Sequence, residues 1–339
     1  MKPTDFALYL TKYLSQYLPG QSGASKNTVQ SYRDTFSLLL TYCQGEKHIS
    51  PQKLTLARLD RLLIEQFLMW LEDERNCCAG TRNNRLAAIH AFYRYLQIEN
   101  PQMIQRCQEI LSIPYKKAQQ KVMTYLTLEG IKALLAQPDP RTKSGRRDVA
   151  LLSLLYDTGA RVQELVDLKL EDIRLSSPTV IRLTGKGKKV RLVPIMAPTE
   201  KLLQQYLDEL DMNYAAHGGY PVFCNRAGKK LTRAGIAYIL NKYLEQAKAA
   251  DGMFLPDSIS PHCLRHSKAM HLLQSVVILI YIRDLLGHAD VSTTEVYARA
   301  DEQLKRKALE QAYPSPTPAG TPSWQKDDDL LIWLKNLGK

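Results

Sequence analysis

Apolar residues recur at helical spacing from the start of the chain. Phe6, Leu10, Tyr13, Leu14 and Tyr17 share one stripe of a segment over 5–18, and Pro19-Gly20 is expected to end it. Ser25 is placed to cap a second helix striped by Val29, Tyr32, Phe36 and Leu39 or Leu40. Two more helical patterns follow, at about 60–74 and about 80–97. In the last, Leu86, Ile89, Tyr93 and Leu96 form the buried stripe and leave Arg82, Arg85 and Arg94 free to face phosphate groups. In isolation a solvated helix face is the plainer reading of these arginines.

Periodicity fails between Ile110 and Tyr125, where Pro114, Lys116, Lys117, Gln119, Gln120 and Lys121 read as a polar, basic linker. A helix is predicted over about 127–136, and another over Asp148 to Thr158, closed by Gly159. Thr179 to Thr184 and Val190 to Pro194 alternate with period two around Gly185-Lys186-Gly187-Lys188, the pattern of a β-hairpin. Helical spacing resumes at about 199–212, 232–249, 262–275 and 277–286. The expected fold is mainly α: a helical module over 1–110, a basic linker over 111–125, and a larger mixed module with a small antiparallel sheet over 126–312. Residues 313–339 differ from both. Pro314 to Pro322 should form an extended tether, and Leu330, Leu331, Trp333, Leu334 and Leu337 beyond it share a face of a short helix. That helix is either a docking element for a neighbouring subunit or a loose tail.

Charge narrows the partners. Of the 339 residues, 46 are Lys or Arg and 34 Asp or Glu, a formal net charge of +12, which points to a polyanion. The six cysteines, at 43, 77, 78, 107, 224 and 263, form no CxxC pair and no regular spacing, so neither a metal site nor a disulfide framework is expected. That usage fits a reducing cytoplasm. The start carries no apolar signal region, and the longest apolar run, Val276 to Ile282, is far too short to cross a bilayer. A soluble intracellular chain with no membrane role is expected.

Candidate chemistry lies in the second module. Thr158-Gly159-Ala160-Arg161 ends a helix on an arginine, and Glu164 stands within one helical turn to brace it. Alone, an Arg-x-x-Glu pair is usually a surface ion pair. The hairpin tip carries Lys186, Lys188 and Lys189, flanked by Arg182 and Arg191, with no acid among them. Further on come His262-Cys263-Leu264-Arg265-His266, then Leu285-Leu286-Gly287-His288, then Tyr297. Cations and imidazoles followed by a phenol make a set suited to phosphate chemistry. His266 and His271, on the helix that starts near His262, read as packing or capping groups.

Joined in order, the words Thr-Gly-x-Arg-x-x-Glu-Leu, Gly-Lys-Gly-x-Lys, His-x-Leu-Arg-His, Leu-Leu-Gly-His and Ser-Thr-Thr-x-x-Tyr resemble the motifs of the tyrosine recombinase (phage integrase) family. The resemblance covers about 124–312 closely and 5–100 more loosely, the latter as the family's SAM-like helical core-binding domain. It implies a site-specific recombinase of the Xer-like or transposon type, cutting and rejoining DNA through a 3′-phosphotyrosyl intermediate and a Holliday junction. Tyr297 would be the nucleophile. Arg161 and Arg265 would clamp the nonbridging oxygens, Lys186 would protonate the departing 5′-oxygen, His262 would exchange a proton with the tyrosine, and His288 would hydrogen-bond the phosphate. Glu164 would brace Arg161, with Lys188 the rival to Lys186. Arg82, Arg85, Lys188, Lys189 and Arg191 are the candidate DNA contacts. No cofactor is implied, because the phosphotyrosyl bond conserves the energy of the cut. The implied partners are double-stranded DNA with inverted-repeat core sites and further copies of the chain in a homotetramer, a C-terminal segment of each docking on its neighbour. The expected location is the bacterial cytoplasm, on the nucleoid.

The chain departs from the family pattern at two places. Val276 and Ile278 stand where a glycine and a small polar residue are usual, so a left-handed turn there would be strained. Lys268 stands where an aromatic is common, and is expected to add a phosphate contact or face water. A type IB topoisomerase and a catalytically silent DNA-binding regulator are the alternative functions. The complete residue set argues against the silent form.

Overall fold

The computed structural model describes residues 2–118, 123–210, 218–251, 255–275 and 278–287, with the backbone alone at Lys186 and Asp251. His288, Tyr297, Val276 and the whole of 313–339 lie outside the described residues. The chain divides into two compact units, Met1–Lys121 and Val122–Lys339, each with its own apolar core.

In the first unit, α1 (Asp5–Lys12) continues as a π-helical stretch, Tyr13–Gln21. Pro19-Gly20 therefore does not end the helical path as expected. A regular α-turn would set the proline ring against the carbonyl four residues back, and the wider π-turn relieves that clash. Ser25 caps α2 (Lys26–Gly45), its Oγ accepting the Thr28 N–H at 3.2 Å. α3 (Arg61–Asp73) starts on the Asp60 carboxylate, followed by α4 (Ala79–Glu99) and α5 (Ile104–Leu111). Phe92 of α4 meets Phe6, Tyr13 and Phe36 edge-on at 6.1, 5.3 and 5.2 Å, the aromatic centre of this core.

The first residues of the expected linker are held against the first unit. Ile113 is buried, and Asn83 holds both the N–H and the C=O of Lys116, at 3.0 and 2.7 Å. One isoleucine and one asparagine produce no periodicity, which is why the packing is invisible in the pattern. Arg82 is also corrected. It is buried, and its Nη1 donates to the Pro114 carbonyl at 3.1 Å, so it fastens this segment rather than facing phosphate. Arg85 is half-buried and donates to the Ser31 carbonyl and the Thr35 hydroxyl, whereas Arg94 is exposed.

The second unit contains α6 (Leu128–Leu135), α7 (Lys143–Thr158), α8 (Val162–Val166), three strands, then α9 (Ala197–Asp208), α10 (Arg233–Asp251), α11 (Pro261–Gln274) and α12 (Leu279–Leu286). α7 begins at Lys143, ahead of its apolar stripe, because Thr142 caps it by accepting the Gly145 N–H at 2.9 Å. Its Leu151, Leu152, Leu154 and Leu155 are fully buried, and the helix packs against α9 and α11. β1 (Ile173–Arg174), β2 (Val180–Thr184) and β3 (Val190–Pro194) form an antiparallel sheet in that order. Ile181 lies opposite Val193, and Leu183 opposite Arg191. These positions face the core, so Arg191 points inward while Val190 and Leu192 are exposed.

A candidate active site at the carboxyl end of a short helix

The site is built around the end of α12. A helix leaves its last carbonyls without intrahelical partners, at the negative end of its dipole. Here three successive carbonyls each receive a guanidinium from elsewhere in the unit. Leu285 O accepts Arg191 Nε at 2.9 Å, Leu286 O accepts Arg265 Nη2 at 2.7 Å, and Gly287 O accepts Arg161 Nη2 at 3.3 Å. Arg265, buried on α11, also donates through Nη1 to Gly159 O at 2.6 Å. Gly159 and Gly287 end α7 and α12 in left-handed conformations, φ 56° and 65°. A side chain at Gly159 would collide with Leu286, its Cβ 2.6 Å from Cδ2, so these two helix ends touch because residue 159 has none.

Glu164 is the hub. It stands third in α8, where one oxygen accepts the Arg161 backbone N–H at 2.8 Å and the other accepts Arg161 Nη1 at 2.9 Å. Arg191 forks the same carboxylate, Nη1 to Oε1 at 2.9 Å and Nη2 to Oε2 at 2.6 Å. Burial alone would raise this carboxyl. The hydrogen bonds from Arg191 and Arg161, with the charge of Arg191, outweigh burial and hold it down to about 2. Glu164 thus braces Arg161 as expected from its spacing, and it also binds a residue that the spacing did not connect to it.

His262, at the second position of α11, reaches solvent. Desolvation by the surrounding chain lowers its pKa, followed by the charges of Arg265 and Arg161. His266 lies with its ring 6.0 Å from that of His262. His271 shares a hydrogen bond of 2.8 Å with the Tyr156 hydroxyl, a packing role.

Two sequence readings change. Arg191 was a candidate DNA contact, but its side chain is only 12% exposed and is committed to Glu164 and Leu285. The register carried the clue: Arg191 has the parity of Val193 and opposes Leu183. Lys268 neither faces water nor reaches outward. Its ammonium pairs with Asp157 at 3.0 Å and lies 5.2 Å from the centre of the Tyr156 ring, while the other Asp157 oxygen accepts the Met196 N–H. Ile278 has φ −58°, while Val276, which stands where glycine is usual, lies outside the described residues. Lys188 and Lys189 are exposed at the hairpin tip, and Arg182 pairs with Asp172 at 2.7 Å. Asp157 was missed because its partners are distant in sequence.

Comparison with known proteins agrees with the geometry. Residues 124–303 match the phage integrase family, and residues 10–100 match the phage integrase N-terminal SAM-like domain. A putative integrase/recombinase y4rC of Sinorhizobium fredii is 35% identical, with 99% of each chain covered. Tyrosine recombinase XerC of Pelotomaculum thermopropionicum is 32% identical over 88% of this chain and 95% of its own. The fold is similar to that of the XerH site-specific recombinase in a post-cleavage complex with palindromic difH substrate, with TM-score 0.65, 24% identity, and 89% and 85% of the two chains covered. With two arginines and the glutamate that braces one of them gathered at one helix end, the chain belongs to the phage integrase family and is a tyrosine-type site-specific recombinase.

Proposed function

We propose that this chain cuts and rejoins double-stranded DNA at inverted-repeat core sites, one strand pair at a time, through a 3′-phosphotyrosyl intermediate and a Holliday junction. A phosphodiester resists attack because its nonbridging oxygens are anionic and its alkoxide leaves poorly. One charge-stabilising donor contributes roughly 3 kcal/mol, and enzymes remove on the order of 8 to 23 kcal/mol, so several groups must converge. The observation that carries the reading is the convergence of Arg161 and Arg265 on successive carbonyls, of Gly287 and Leu286, at the end of α12.

In this reading Arg161 and Arg265 bind the nonbridging oxygens as charge builds on them. The Tyr297 hydroxyl attacks phosphorus and gives its proton to His262. Lys186 protonates the 5′-oxygen as the P–O5′ bond breaks, and His288 hydrogen-bonds the phosphate. Lys188 and Lys189, exposed at the hairpin tip, contact the backbone of the duplex. Arg85, its position set by Ser31 and Thr35, adds a contact from the first unit. Residues 1–110 serve as core-binding domain and 126–312 as catalytic domain. Four copies assemble on two duplexes, each passing a C-terminal segment to its neighbour. A relaxing topoisomerase and a silent regulator are not favoured, since the curated relatives are named as recombinases. A role in the cytoplasm, on the nucleoid, fits a substrate of this kind.

The test is a duplex nicked just beyond the cut site, which traps the cleaved state. Wild type should form a covalent protein–DNA adduct and Tyr297→Phe should form none. An adduct surviving in Tyr297→Phe, or none with wild type, would reject the reading.

A further inference from the structure

The side chain of Arg191 ties three elements together. It leaves the inner face of β3, forks Glu164 of α8, and donates to Leu285 O at the end of α12. Gly287 lies against it: a Cβ there would be 3.0 Å from Arg191 Cδ and Nη1. The other leg of the hairpin meets the same carboxylate. A Cβ on Gly185 would lie 2.9 Å from Glu164 Oε1 and 3.6 Å from Arg161 Nη1. Gly185 N–H also donates to Lys189 O at 2.8 Å, closing the turn that bears Lys186. Both legs of the hairpin root thus rest on the carboxylate that braces Arg161. One leg rests by close backbone approach, the other by charge-assisted hydrogen bonds.

We propose that Arg191 is a positioning residue for strand cleavage. It locks the root of the hairpin to Glu164 and α12, and so sets Lys186 relative to the phosphate held by Arg161 and Arg265. The inference rests on Lys186 being the proton donor in the proposed function. In that step the Tyr297 oxygen bonds to phosphorus, the P–O5′ bond breaks, and the Lys186 ammonium delivers a proton to the departing oxygen. Lys186 is left as a neutral amine. A hairpin released from its root still bears the lysine but no longer holds it at the leaving atom. Binding of DNA, and the arginine clamp, do not depend on that placement.

The experiment compares single-turnover cleavage of two nicked duplexes, one with the natural 5′-oxygen and one with sulfur in the bridging position. Sulfur leaves as a thiolate without a proton donor. The full-length wild type, Arg191→Ala, Arg191→Lys and Lys186→Ala proteins are used, with DNA affinity measured alongside. On the oxygen substrate Arg191→Ala should be slower by about 100-fold, within the range of a lost general acid, and on the sulfur substrate by less than about 5-fold. Arg191→Lys, which keeps the charge but cannot fork the carboxylate, should fall between and also be rescued by sulfur. Equal losses of Arg191→Ala on both substrates, with Lys186→Ala rescued, would overturn the positioning role and show that Arg191 acts through the clamp or the fold. If Arg191→Ala does not fold, the same comparison on Arg191→Lys decides. Failure of sulfur to rescue Lys186→Ala would overturn the proton-donor reading itself, and the positioning role with it.

Discussion

Glu164 shows how one residue carries charge, cap and joint together. Its carboxylate is 3% exposed and takes donors from two arginines and a backbone amide, an arrangement that is costly to break from one side only. Because its folded pKa is depressed from 4.5 to about 2, its contribution is present above the ordinary carboxylate range and is lost as pH falls through that interval. The shift corresponds to on the order of 3 kcal/mol at neutral pH. Denaturant unfolding of wild type and Glu164→Gln should therefore differ by roughly that amount near pH 7, and the gap should narrow between pH 4.5 and 2. A gap that does not change with pH would show that the ionised carboxylate is not what matters. The Arg161 to Glu164 spacing was readable in the chain, since both lie within one helical turn. The Arg191 to Glu164 pair was not, since the two stand 27 positions apart along the chain.

Among the elements, α12 and the hairpin decide the geometry. The hairpin strands and the helical pattern before Gly287 were plain from period and glycine placement. What period two implies for Arg191 was also present in the sequence, but the positive charge suggested an outward residue. The tertiary answer is that an inward-facing position on β3 can hold an arginine when a buried carboxylate waits for it. Gly159 tests how closely the elements must meet. Gly159→Ala has to adopt φ 56° and also crowd Leu286 Cδ2, 2.6 Å from the new Cβ. Gly187→Ala has φ 73° to adopt but nothing within 4 Å. Chemical denaturation should place Gly187→Ala about 1 kcal/mol below wild type and Gly159→Ala roughly 2 to 4 kcal/mol below. Equal losses would mean that the α7 to α12 contact relaxes freely. Cleavage should fall with Gly159→Ala, since Gly159 O is a partner of Arg265.

At the scale of the whole molecule, a net charge of +12 favours a polyanion without saying which cations meet it. The structure sorts them. Arg82, Arg191 and Lys268 are spent on carbonyls and carboxylates, while Lys188 and Lys189 remain exposed. Binding to core-site DNA at rising salt gives a slope that counts displaced counterions. Alanine at both Lys188 and Lys189 should reduce that slope by about 2, and Arg191→Ala should leave it unchanged. A drop in slope for Arg191→Ala would return that residue to the DNA surface. The sequence by itself determined the longer helices, the hairpin, the basic character and the family, because periodicity, caps and motif words are local and need only neighbouring residues, whereas the short elements Ile104–Leu111, Val162–Val166 and Ile173–Arg174 carry too few residues to show a period. Tertiary structure alone decided which cations are structural and which face outward. The partners that settle it, Arg82 with Pro114, Lys268 with Asp157 and Arg191 with Glu164, lie 32, 111 and 27 positions apart, and only folding brings them within hydrogen-bonding distance.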